Sequence, residues 1–110
     1  MTAVYLNPIF AGPSVHKYHC IDYFHVDPHF GGDEALAELS KALHENDMKL
    51  ILDISINHTG TSHKWFNKEG IYYDKSVGAY NNPDSEERGY YFFSDDNTYH
   101  GWFNNMEMPT

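Results

Sequence analysis

An α/β fold is what this sequence predicts, on three observations. Two short, β-prone apolar runs, Ala3-Val4-Tyr5-Leu6 and Met48–Ile54, have the character of buried strands of a parallel sheet. Between them, Asp33 to about Asn46 carries Leu36, Leu39 and Leu43 at i, i+3 and i+7, the apolar stripe of an amphipathic helix. The order strand, helix, strand is a βαβ unit, with parallel strands and a right-handed crossover. Third, the stretch Leu50–His58 starts apolar and ends in Asp53, Asn57 and His58, so polar chemistry falls at the C-terminal end of a strand.

Each element has its punctuation. Asn7-Pro8 closes the first strand, because proline cannot donate to a ladder and restricts the residue before it. Asp33 is expected to cap the helix, with Glu34 in the first turn where the helix dipole favours negative charge. Asn46 is expected to take the left-handed conformation that stops it. Leu50, Ile51, Leu52 and Ile54 make the second strand apolar on both faces, as between two layers of helices. From Asn7 to Gly32 no period persists, and Pro8, Pro13 and Pro28 interrupt it, so a long functional loop is expected. After Thr59 the pattern dissolves into Asn, Asp, Ser, Gly and paired aromatics. There Tyr90–Ser94 is expected to be a strand and Asp95-Asp96-Asn97 a turn.

Composition narrows the partners. The 110 residues are enough for one small domain, and a chain of this size buries about two thirds of its unfolded surface. A net charge of -9 with no basic stripe argues against nucleic acid. No apolar run approaches the roughly 20 residues of a membrane-spanning helix. A single cysteine, Cys20, excludes a disulfide within the chain and a four-cysteine zinc site. No signal peptide is visible, and with one cysteine this points to a cytoplasmic location. The first strand has no lead-in, and Pro109-Thr110 carries no helix stop or fading tail. The sequence therefore reads as a piece of a larger domain.

Ligands of α/β folds gather where strands end. Asp53, Asn57 and His58 lie there, although from position alone they serve loop amides and turns equally well. His16-Lys17-Tyr18-His19 must lie at the same end, since both strands are parallel. There Tyr18 offers a flat ring to a sugar, or packs as a rim tyrosine. His16/His19 and His25/His29 have spacings a metal could use, but Pro28 breaks any helical i, i+4 site. A histidine-based metal protein and a non-catalytic carbohydrate-binding module are the rival readings. Asp22, Asp27 and Asp53 are the carboxylates at this end, and spacing alone gives none of them an acid–base partner.

Four stretches together carry a resemblance. They are A-V-Y-L-N-P-I-F, then H-K-Y-H-C-I-D-Y-F-H-V-D-P-H-F-G-G, then L-I-L-D-I-S-I-N-H, then Y-Y-F-F-S-D-D-N-T-Y-H-G-W-F. They resemble the α-amylase family, glycoside hydrolase family 13, and within it the neopullulanase, cyclomaltodextrinase and maltodextrin glucosidase group. The resemblance implies a fragment of a (β/α)8 TIM barrel. Residues 1–58 would be strand two, helix two and strand three, and residues 59–110 a loop-rich domain B segment.

The resemblance also implies roles. Tyr18 matches a tyrosine that stacks under the sugar at the scissile bond, and His58 a histidine that hydrogen-bonds that sugar's primary hydroxyl. Asp53, with Asp22 of the Y-x-x-x-D-Y motif, would organise the site. Asn57 matches a calcium-binding position of many α-amylases, although the neopullulanase group often lacks that ion and no cofactor is required. His19-Cys20 departs from the group, which commonly reads Asp-Thr there. The three catalytic carboxylates of the family lie on strands outside this segment. The parent would therefore be a retaining hydrolase of α-1,4-glucans (maltodextrins, cyclodextrins or pullulan), and this chain alone would be inactive. Its unpaired sheet edges are expected to drive self-association.

Overall fold

A computed structural model describes residues 2–110. Strand β1 (Ala3–Leu6) is followed by a hairpin of β2 (Phe10–Ala11) and β3 (Asp22–Val26). A 3-10 turn at Pro28–Phe30 leads into helix α1 (Gly32–Glu45), and strand β4 (Lys49–Leu52) returns beside β1. The β1–β4 pair is parallel, with Tyr5 opposite Ile51 and Leu6 opposite Leu52. Flanking bonds extend it, Lys49 N to Thr2 O at 2.9 Å and Asp53 N to Leu6 O at 3.0 Å. The βαβ unit is therefore present, and Asp53 sits where both strands end.

Local chemistry moved several boundaries. Asp33 does not cap α1. Gly31, at φ 93°, is the residue before the helix, and the Asp33 carboxylate turns back to accept from Val26 N at 2.7 Å. It also pairs with His25 Nδ1 at 2.7 Å, so its charge joins the helix start to β3. At the other end Asn46 keeps φ −100° and Asp47 takes the left-handed place at φ 54°. The Asn46 amide donates instead to Ala42 O at 2.8 Å. Leu43 is buried in α1, and Leu36 and Leu39 are half-buried.

The segment from Asn7 to Gly32 is not structureless. Phe10 pairs with Val26 and Ala11 with Asp22, with a register shift between them. A two-residue strand is too short to show periodicity, and Pro8 and Pro13 flank it without interrupting it. β4 is also barer than its sequence suggested. α1 packs on it, yet Ile51 is 48% exposed and Tyr5 on β1 is 58% exposed.

In the second half the Tyr90–Ser94 expectation fails. Glu86–Tyr90 is a 3-10 helix, and Phe93 makes only an isolated bridge to Tyr99. The aromatics there build a core, not a ladder. Phe66, Ala79, Tyr91 and Tyr99 are buried together, with Trp65 and Phe93 packed on them. The predicted turn is present: Ser94 N bonds Thr98 O at 2.8 Å, and Asn97 holds φ 65°. Strands β5 (Gly101–Trp102) and β6 (Asn105–Pro109) close a hairpin whose tip, Phe103 and Asn104, holds φ 49° and 61°. Among the described residues no helix is long and apolar enough to cross a membrane.

Candidate functional site

The site forms where β1 and β4 end. Asp53 follows the last paired residue of β4, and the loop after β2 folds over it. Tyr18 from that loop donates its hydroxyl to Asp53 Oδ2 at 2.9 Å while its side is left 38% exposed. Sequence reasoning placed these two residues at one end, and the fold joins them directly. Hydrogen bonding to Asp53 raises the Tyr18 phenol above its usual value of 10.0, because losing that proton would set two anions side by side. The Tyr5 phenol is raised by the same carboxylate.

His58 lies under this loop. Its Nε2 donates to Tyr18 O at 3.0 Å, with Ser55 Oγ at 3.2 Å. Nδ1 is then the lone-pair nitrogen, buried and without a partner. Burial lowers the imidazole's pKa, and the bond to the Tyr18 carbonyl partly opposes this. The Trp102 indole stacks on His58, centroids 5.2 Å apart and planes 20° from parallel, and leaves the histidine 6% exposed. Tyr23 anchors the turn beneath, sharing its hydroxyl proton between Ser55 O at 2.7 Å and His58 O at 2.9 Å.

Asp22 is not drawn into this network. Its Oδ1 accepts from Phe24 N at 2.8 Å, and its side chain lines a separate cleft with His25, His63 and Tyr73. Asn57 lines a larger cleft of about 570 Å³ with Ile54, Ile56, Trp65, Tyr90 and Tyr91. No carboxylate lines it. That donor set does not fit calcium, which takes six to eight oxygens. Of the histidine pairs, His25 turns to Asp33 and His29 lies 3.0 Å from Asp27, while His16 and His19 stay together with ring centroids 5.0 Å apart. Among the described residues no three His, Cys, Asp or Glu side chains come together as a metal site.

Two contributors escaped the sequence reading. Trp102 is 44 positions from His58, and only its membership of an aromatic pair singled it out. Lys17, adjacent to Tyr18, is 6% exposed and buried against Asp27 at 2.9 Å. Burial works against the Asp27 charge, but hydrogen bonds from Lys17, His29 N and Gly12 N hold its pKa down at about 2.

A parallel βαβ unit with its polar residues gathered at the strand ends is the architecture of an α/β barrel enzyme. The chain belongs to the α-amylase family: the family model described as alpha amylase, catalytic domain, matches residues 1–110. Maltogenic alpha-amylase of Bacillus licheniformis is 50% identical over 62 residues, covering 56% of this chain and 11% of that protein. Cyclomaltodextrinase of Geobacillus thermopakistaniensis is 50% identical over 60 residues, covering 54% of this chain and 10% of that protein. The crystal structure of a debranching enzyme from Nostoc punctiforme superposes with a TM-score of 0.80 at 30% identity, covering 99% of this chain and 23% of that one. The fold is thus a portion of an α-amylase-family TIM barrel. The matched stretches span about a tenth of the length of these curated relatives.

Proposed function

We propose that this chain forms the tyrosine side of the substrate site of a retaining glycoside hydrolase acting on α-1,4-glucans. Residues 1–58 supply the barrel portion and residues 59–110 a domain B-like cover. The observation that carries the reading is Tyr18, whose partly exposed ring is pinned through its hydroxyl to Asp53 at the ends of β1 and β4. A ring held at its far end keeps its face steady for the C–H side of a pyranose. The names of the relatives, maltogenic amylase and cyclomaltodextrinase, support the same class of substrate.

The chain binds and orients; it does not break the bond. A retaining mechanism needs two carboxylates about 5–5.5 Å apart, one as acid and one as nucleophile. Asp53 accepts from the Tyr18 phenol and in this reading organises the site. His58 holds the Tyr18 carbonyl, and its partnerless Nδ1 is the ring atom left to accept from a sugar hydroxyl. The reacting carboxylates come from other strands of the parent barrel. A cytoplasmic location for the parent belongs to the same proposal, and the relative of Bacillus subtilis named intracellular maltogenic amylase, 46% identical over 62 residues, supports it.

Titration of the chain with maltotriose tests this. Tyr18→Ala should weaken binding about 2- to 10-fold, since aromatic stacking contributes roughly 0.5–1.5 kcal/mol. Unchanged affinity would remove Tyr18 from the site. The same chain should release no reducing sugar from maltotriose, and release would overturn its non-catalytic role.

A further inference from the structure

We infer that Lys17 is a positioning residue, whose buried ammonium locks the loop between β2 and β3 so that the adjacent Tyr18 meets Asp53. Its meaning for sugar binding rests on the role given to Tyr18 above. The lock itself does not.

A lysine is almost never fully buried unless it is paired. Lys17 Nζ donates to Gly12 O at 2.6 Å and lies 2.9 Å from Asp27 Oδ2. That carboxylate accepts in turn from Gly12 N at 3.2 Å and, through Oδ1, from His29 N at 2.9 Å. One ammonium therefore ties the start of the loop to the segment that follows β3. The loop has no slack: a Cβ added at Gly12 or at Gly60 would come within 2.8 Å of His19 O. Lys17 itself holds φ 62°, a left-handed conformation that costs a lysine energy and persists only where the surroundings impose it.

The next residue takes the opposite direction. Tyr18 sends its hydroxyl to Asp53 and its carbonyl to His58. The left-handed turn at Lys17 is what sends one side chain into the hairpin base and its neighbour out over the strand ends. A loop freed from Asp27 and Gly12 would relax toward an ordinary backbone angle, and the ring would swing away from Asp53.

The test is a carbon-13 NMR titration of the 110-residue chain with its tyrosine rings labelled. In the native chain Tyr18 should titrate above 10. In Lys17→Met and in Asp27→Asn it should fall to about 10, the value of a free tyrosine, as it also should in an Asp53→Asn reference. Tyr91, which burial raises and which lies in the aromatic core, should stay raised throughout and so separates loop release from unfolding. Where a single variant unfolds, Lys17→Met/Asp27→Leu removes both buried charges together and carries the same expectation. Tyr18 still raised in a folded variant overturns the proposal. Maltotriose affinity is measured alongside. Release of Tyr18 with unchanged affinity upholds the lock and rejects the sugar role of Tyr18. Release with weakened affinity upholds both.

Discussion

Asn67 shows how much one side chain can hold. It is fully buried at φ 54°, and its Nδ2 donates to Asp74 O at 2.8 Å and Val77 O at 2.9 Å. Its backbone carbonyl accepts from Asn81 Nδ2 at 2.7 Å. Asn67→Ala would take the donor from two part-buried carbonyls and leave a residue without a compensating bond in the left-handed region. The expected loss is about 1–3 kcal/mol, read by urea denaturation. A loss below about 0.5 kcal/mol would show the loop is held by other means. At this scale the sequence spoke unevenly. That Tyr18, Asp53 and His58 lie together was legible, because parallel strands bring the loop after one and the end of the other to the same side. The Lys17–Asp27 pair was not, since no period spans the loop between them and a lysine is read as surface by default. The Trp102 stack on His58 was equally hidden. It depends on where the β5–β6 hairpin lands, and no local pattern encodes that.

At the scale of elements, legibility followed length and locality. β1, α1 and β4 emerged because a four-residue apolar run and a helical stripe are local signals. β2 could not, being two residues long, although Asp22–Val26 beside it is a full strand. The cap of α1 was misread because a glycine at φ 93° precedes the helix and frees Asp33 to bind β3. Tyr90–Ser94 was misread for a different reason. Consecutive aromatics favour strands, but here Tyr91 and Phe93 are drawn to the Phe66 ring, at 4.9 and 6.2 Å, and burial overrides propensity.

The whole molecule is extended. Its radius of gyration is 16.3 Å, against about 13 Å for a compact chain of this length. Its surface of 7183 Å² exceeds the about 6,200 Å² typical of a 12.7 kDa monomer. Part of that excess is the β1–β4 pair, whose outer edges carry no further strand among the described residues. Such edges template pairing with another chain, and Ile51, Ile54 and Ile56 stand exposed nearby. The isolated 110-residue chain is therefore expected to associate at high concentration, as a rising mass in light scattering. A clean monomer across the range would show that the edges are guarded. The chain covers 23% of the solved debranching enzyme on which it superposes, which accounts for this shape. What the sequence could not convey was how little of β4's apolar surface its own chain covers.

The stack of Trp102 on His58 also makes the molecule its own optical probe. The chain has two tryptophans, and each lies against one imidazole: Trp102 on His58, and Trp65 on His63 at 4.4 Å. An imidazolium quenches a neighbouring indole more strongly than the neutral ring does. Burial lowers the pKa of both histidines, that of His63 to about 4, so acid must drive the proton in. Emission should hold steady at neutral pH, drop below pH 6.5 as His58 charges, and drop again near pH 4. In Trp65→Phe only the first step should remain, and a ligand that displaces the Trp102 indole would erase it.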